Sequence, residues 1–277
     1  MCMIETYTYQ RVLPETILEK YCFLETGSAT QIASVVDEDA FKDVIDVLGG
    51  FSLTGQLLLT KGGSRGPIPR LIDGAFESRG WIEARVDLYK RAFLFPGHNS
   101  PTVKDDPLGT RANEVLISET YQQGYSVDNV KDRIALDVEW NPKDGNLDRD
   151  FSAYRAWHQE GLIDAAILIT RIQDDTKKLA KQIWDEFVER NPQLKGKAQP
   201  VEYGTTTTAN FEKARERVLR GDLGTCPILV VGIGEQTWDG LPWDGRKVQY
   251  FKGEGFLALV DSFEEIPPDI TYEIVSI

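Results

Sequence analysis

The chain has 277 residues, 41% hydrophobic and 27% charged, which suits a globular protein long enough to bury a substantial core. Its net charge of -13 excludes a nonspecific polyanion coat but leaves room for a local basic groove, because steering depends on where charges sit. No apolar run approaches the ~20 residues of a membrane helix, and MCMIETYTYQRV lacks a basic stretch followed by an apolar core, so no membrane partner and a cytoplasmic location are expected.

Residues 1–62 read as a helical N-terminal subregion. In DEDAFKDVIDVLGG, Phe41, Val44, Ile45, Val47 and Leu48 recur at helical spacing before a Gly-Gly stop. A second helix follows in KGGSRGPIPRLIDGAFESRGW, with Ser64 and Pro67 as start signals, Ile68, Leu71, Ile72 and Phe76 as its buried stripe, and Gly80 as its end. WIEARVDLY alternates as a strand does, whereas FPGHNSPTVKDDPLG is a polar, turn-rich connection. Further on, DRDFSAYRAWHQEG reads as a helix, LIDAAILITR as a buried strand, DTKKLAKQIWDEFVERNP as an amphipathic helix and CPILVVGIG as a second buried strand. Strands separated by helices predict a mixed α/β domain over 63–277, and the turn- and strand-like final 40 residues give it a β-rich C-terminal extension.

Cys2, Cys22 and Cys226 are odd in number and far apart, which fits neither a disulfide framework nor a zinc site; they read as small buried thiols. With His98 and His158 the only histidines, His-rich zinc chemistry and a Ser-His-Asp triad have little material.

Chemistry concentrates in VDNVKDRIALDVEWN, residues 127–141, where Asp128, Asp132, Asp137 and Glu139 surround the apolar Ile134, Ala135 and Leu136. Acids are depleted from strands and costly to bury unpaired, so their presence here calls for a partner. The pattern is D-x8-D-x-E. Side chains two apart share a strand face, so Asp137 and Glu139 project together while Leu136, Val138 and Trp140 point into the core, and Asp128 reaches the same place from a neighbouring strand. Three convergent carboxylates are hard oxygen ligands suited to Mg2+ and to phosphoryl chemistry, although the same spacing also describes a solvated strand edge.

Asp128, Asp137, Val138 and Glu139 resemble the active-site pattern of the BglII, BstYI and BamHI group of type II restriction endonucleases, within the PD-(D/E)XK nuclease superfamily. Members of this group replace the superfamily's lysine with glutamine or, in BamHI, glutamate; here Glu139 stands there. DVEWNPKDGNLDRDF and GTTTTANFEKARERVLRGDLGTCPILVVGIG are similar to the same family, a resemblance running from about residue 64 to 234. It implies a restriction-endonuclease-like mixed β-sheet core flanked by helices. It also implies Asp128, Asp137 and the Val138 carbonyl as metal ligands and Glu139 as the residue that orients or deprotonates the attacking water. Asp137 departs from the usual glutamate by one methylene. The group uses a further acid or amide upstream, for which Glu83 is the first candidate and Glu77 the second; either also suits a solvated surface.

Cleavage of a specific site further requires phosphate clamps and side chains that reach base edges. Thr205, Thr206, Thr207, Thr208 and Asn210 stand at a helix start with suitable hydroxyl and amide groups, while Lys213 and Lys143 are candidates for phosphates; an ordinary capped and solvated helix explains the same residues. The expected activity is that of an Mg2+-dependent type II endonuclease acting on double-stranded DNA at a short palindromic site. The competing readings are a repair or modification-dependent nuclease of the same superfamily, or a noncatalytic DNA-binding scaffold. Cutting both strands calls for a homodimer, with helices 148–159 and 175–190 and their aromatics Phe151, Tyr154, Trp157, Trp184 and Phe187 as the expected interface; core packing explains these rings equally well.

Overall fold

The computed structural model describes residues 4–62, 66–94, 115–204, 207–251, 255–261 and 273–277. Of the residues singled out above, Cys2, Ser64, His98, Thr205 and Thr206 lie outside them. The chain divides into two compact units, residues 1–84 together with 127–277, and residues 85–126.

In chain order the strands are β1 (Glu5–Thr6), β2 (Cys22–Thr26), β3 (Ile82–Arg85), β4 (Leu88–Leu94), β5 (Val115–Gln122), β6 (Ser126–Lys131), β7 (Ile134–Glu139), β8 (Ala165–Arg171), β9 (Ile228–Ile233), β10 (Arg246–Phe251), β11 (Phe256–Asp261) and β12 (Glu273–Val275). The helices are α1 (Tyr9–Val12), α2 (Glu15–Leu18), α3 (Ala29–Val36), α4 (Glu38–Gly50), α5 (Gly55–Leu58), α6 (Pro67–Glu77), α7 (Gly145–Gln159), α8 (Gln173–Arg190) and α9 (Phe211–Arg220). The first unit is built on a seven-stranded sheet ordered β1-β2-β9-β8-β7-β6-β3. β7, β8 and β9 run parallel, and antiparallel β6 and β2 flank them. This is the mixed α/β architecture expected of the chain.

Every residue of β7, β8 and β9 is buried, as befits parallel strands covered on both faces by the helices that connect them. α4 begins where Asp37 accepts a hydrogen bond from the Ala40 N–H at 3.0 Å, and buries Phe41, Val44, Val47 and Leu48. α6 starts on Pro67 and buries the expected stripe of Ile68, Leu71, Ile72 and Phe76. At Gly232 of β9 a Cβ would lie 2.8 Å from the Phe211 ring, so the start of α9 packs there only because the side chain is absent.

Residues 1–62 carry α1 to α5 but also β1 and β2, and β2 pairs with β9 from Cys22↔Gly232 to Thr26↔Ile228. Their apolar side chains share one core with those of β7, β8, β9 and α8. Cys226 is buried, and burial pushes its thiol up to about 12, but Cys22 is exposed, contrary to expectation. Near the C-terminus β10, β11 and β12 form a three-stranded antiparallel sheet. In the second unit β4 and β5 form an antiparallel ribbon with an irregularity at Ala92/Phe93. Asp87 closes its base by accepting from the Tyr121 hydroxyl at 2.6 Å and the Gly124 N–H at 3.0 Å.

Candidate active site

The two faces of β7 divide as the alternation predicts. Ile134, Leu136, Val138 and Trp140 join the main core, while Asp137 and Glu139 lie on the opposite face beneath α7, 2% and 6% exposed. β6 pairs with β7 only as far as Asn129↔Leu136. One residue beyond, Asp128 gives its backbone N–H to Asp137 Oδ1 at 2.7 Å, and its own side chain is exposed. Beyond the acids, Thr170 of β8 donates to the Glu139 carbonyl at 2.7 Å and fixes the end of the strand.

α7 contributes two residues that sequence reasoning did not single out for the site. Tyr154, fully buried, donates its hydroxyl to Asp137 Oδ2 at 2.5 Å. Asp150, one turn earlier on the same stripe and 5% exposed, is hydrogen-bonded through its side chain to Glu139. The signal was present in the spacing: Leu147, Asp150, Tyr154 and Trp157 form a helical stripe on which one member is an acid.

Burial dominates the electrostatics of this cluster. It raises the Asp137 carboxyl well above the usual range, with the charges of Asp150 and Asp128 adding to the effect and the bonds from Tyr154 and Asp128 opposing it. Glu139 is raised by burial and then by Asp137, and Asp150 by burial and then by Glu139. A carboxyl raised in the fold binds more protons folded than unfolded, so its contribution is neutral below the unfolded value near pH 4, turns unfavourable as pH rises above it, and reaches its full cost once pH passes the folded value. Without divalent metal the protein is therefore expected to melt at a lower temperature at pH 8 than at pH 5.5, and addition of Mg2+ at pH 8 is expected to restore stability and release protons. Melting curves independent of pH over that range would show that the acids are not held this way.

Among the described residues, no three acidic, histidine or cysteine side chains are already gathered into a metal-holding group. The donor chemistry nonetheless fits a hard divalent cation, since the site offers only oxygens and two of them, Glu139 Oε2 and Asp150 Oδ2, are buried without a hydrogen-bond partner.

Glu83 is exposed on β3 and is not among the groups that perturb the buried acids. The upstream acid that the structure does bring in is Asp73 of α6. It accepts from Asn129 Nδ2 at 2.8 Å, and burial, with help from Asp128 and Glu77, raises its carboxyl to about 7. Glu77, exposed one turn further along α6, thus acts on the site's margin through its charge.

The segment before α9 is placed beside the end of β7. Lys143 and Thr208 form an isolated antiparallel bridge, the Asp144 N–H donates to the Thr207 carbonyl at 2.9 Å, and Thr207 is exposed. Asn210 has a different role from the one expected: it is 3% exposed and caps α9, accepting from the Lys213 N–H at 2.9 Å and donating to Gln173 Oε1 at 2.5 Å. Its amide is occupied inside the protein. Lys213 is paired with Asp144 at 3.2 Å and Arg217 with Asp148 at 2.7 Å, so these cations fasten α9 to the start of α7. Arg149 is exposed on α7, and its charge opposes the upward shifts of both Glu139 and Asp150.

The aromatics expected at a dimer interface are spent within the monomer. Phe151, Tyr154, Trp157, Trp184 and Phe187 are all at least nine-tenths buried, so none offers a surface to a partner.

No curated protein matches the chain. A family model described as "Restriction endonuclease BglII/BglIII" matches residues 21–233. That span begins some 40 residues before the resemblance read from the motifs, because it takes in β2 and the helices α3 to α5. It covers six of the seven strands of the main sheet and every acid described above, and the family is one of nucleases that cut DNA. With the match running from β2 at one side of the sheet through the acid-bearing β7, the chain belongs to the BglII/BglIII restriction endonuclease family.

Proposed function

We propose that this protein is a type II endonuclease that hydrolyses phosphodiester bonds of double-stranded DNA at a short palindromic site, with Mg2+ as cofactor and a homodimer as the active form. The observation that carries this reading is the pair of acids on one face of β7, buried under α7 and joined there by Asp150. A hydrolase of this kind acts inside the cell, and a cytoplasmic location is part of the proposal.

Asp137 and Asp128, with the Val138 carbonyl, would hold the metal, and Asp150 extends the same set of oxygens. When bound, Mg2+ offsets the negative charge that develops on the phosphodiester oxygens. Glu139 orients the attacking water and takes its proton as the oxygen bonds to phosphorus and the ester oxygen leaves. Burial and Asp137 hold its carboxyl above the usual range, which brings it toward the basicity that a proton acceptor near neutral pH requires. Tyr154 and the Asp128 N–H fix the rotamer of Asp137, so its carboxylate loses little freedom when the cation and substrate arrive.

Exposed Arg149 and Lys143 flank the acids as phosphate contacts. Thr207, with Thr208 beside it, takes over base reading from Asn210, while the placement of Thr205 and Thr206 in the sequence keeps them part of the same reading loop. Sequencing the ends of genomic DNA digested with the purified protein and Mg2+ tests the proposal. Ends that share one short palindrome, produced by a species that sediments as a dimer on DNA, are the expected result; random ends, or an asymmetric site nicked on one strand by a monomer, would refute it.

A further inference from the structure

Away from the acidic cluster, the first unit contains a cleft of about 650 Å³, within the range of small-ligand sites. It opens between the end of α5, the start of α6, α8 and β10. The floor is aromatic: Trp184 and Trp243 lie side by side, ring centroids 6.1 Å apart, and the Trp243 indole N–H is held by the Arg246 carbonyl at 2.6 Å. Gly55 allows this, since a Cβ there would lie 2.9 Å from the Cβ of Trp243. One wall is Tyr250, partly exposed, with the Arg70 guanidinium stacked 4.0 Å from its ring centroid.

The rim carries one sign of charge. Lys61, Arg70, Lys197 and Lys247 line the cleft and no acid does, in a chain whose net charge is -13. Lys61, Lys197 and Lys247 make no ion pair among the described residues. The N-terminus of α6 opens into the same space, and its cap residue, Gly66, has no side chain to occupy the positive end of the helix. A simple carboxylate ligand would not use four separated cations, and a purely apolar one would use none. A flat ring system carrying phosphate uses both the aromatic slot and the rim.

We propose that this cleft binds a nucleotide, its base in the slot between Tyr250 and the tryptophan floor and its phosphate on the lysine rim. The chemistry is shared by a free nucleotide and by an unpaired nucleotide of a DNA strand. None of the residues involved belongs to the acidic site, so the proposal stands independently of the endonuclease reading.

Quenching of tryptophan fluorescence on titration of the full-length protein tests it, in EDTA so that no cleavage intervenes. One arm uses deoxynucleoside monophosphates and ATP, the other a 5′-phosphorylated single-stranded oligothymidylate. The wild type is expected to bind in at least one arm, and Lys247→Glu and Tyr250→Ala each to weaken that binding about tenfold or more, with unchanged melting temperature. Binding of mononucleotides identifies a free nucleotide as the occupant; binding of the oligonucleotide alone identifies a DNA strand. Absence of binding in both arms, or binding that neither variant weakens, overturns the proposal. Loss of Mg2+-dependent cleavage plays no part in this readout.

Discussion

Replacing Asp137 with asparagine is expected to lower DNA cleavage by ~10³-fold or more, a loss of several kcal/mol of transition-state stabilisation, while leaving DNA binding in Ca2+ intact. The substitution keeps the shape of the side chain, and its amide oxygen still accepts from the Asp128 N–H. It removes one charge from a cluster in which Asp137, Glu139 and Asp150 raise one another's carboxyls. At pH 8 keeping these carboxyls buried is unfavourable to the metal-free fold, so the variant is expected to melt at the same temperature as the wild type or higher. Activity lost together with stability would instead mark Asp137 as a structural residue. Cleavage retained within tenfold of the wild type would remove it from the site.

The second large effect is expected at Arg171, at the end of β8. Its side chain is fully buried and makes no ion pair among the described residues, an uncommon situation for a guanidinium. It donates instead to the Trp140 carbonyl at 3.0 Å, Thr208 Oγ1 at 2.9 Å, Thr176 Oγ1 at 3.3 Å and Asn141 Oδ1 at 3.4 Å, and lies over the Tyr203 ring. Desolvation lowers its pKa, so the fold bears a cost to keep it there. One side chain thus ties the end of the acid-bearing strand to the loop that precedes α9. Arg171→Met leaves several of these acceptors without a donor and is expected to cost about 2–4 kcal/mol in chemical denaturation. It should also relax discrimination among DNA sites, because Thr208 loses its hydrogen bond from Arg171. A change below ~0.5 kcal/mol, the scale of an ordinary surface substitution, would contradict this account.

Much of β7 was legible in the sequence. A period of two with acids at Asp137 and Glu139 places both on one face, and nothing in the fold alters that. Asp150 was not legible as part of the site, because an acid in the first turns of a helix ordinarily serves the helix dipole; only the tertiary contact between α7 and β7 turns it inward. The same limit applies to Asp73, whose helix was read correctly but whose partner, Asn129, lies 56 residues away. For Asn210 the sequence carries two signals, a run of threonines suited to base contacts and an asparagine directly before FEKARERV suited to a helix cap, and only the fold shows the side chain engaged as the cap. In CFLET, a five-residue strand inside a mostly helical region carries too little periodicity to be separated from its neighbours, so the link from β2 to β9 emerged only in the folded chain.

These assignments converge on one claim, that the buried acids around β7 are the metal-dependent centre of a DNA endonuclease. Incubating supercoiled plasmid with the purified wild-type protein, in Mg2+ and separately in EDTA, tests it most directly. Linear DNA or discrete fragments are expected in Mg2+, and intact supercoils in EDTA. Equal cleavage in both, or none in Mg2+ on DNA rich in varied sequence, would contradict it.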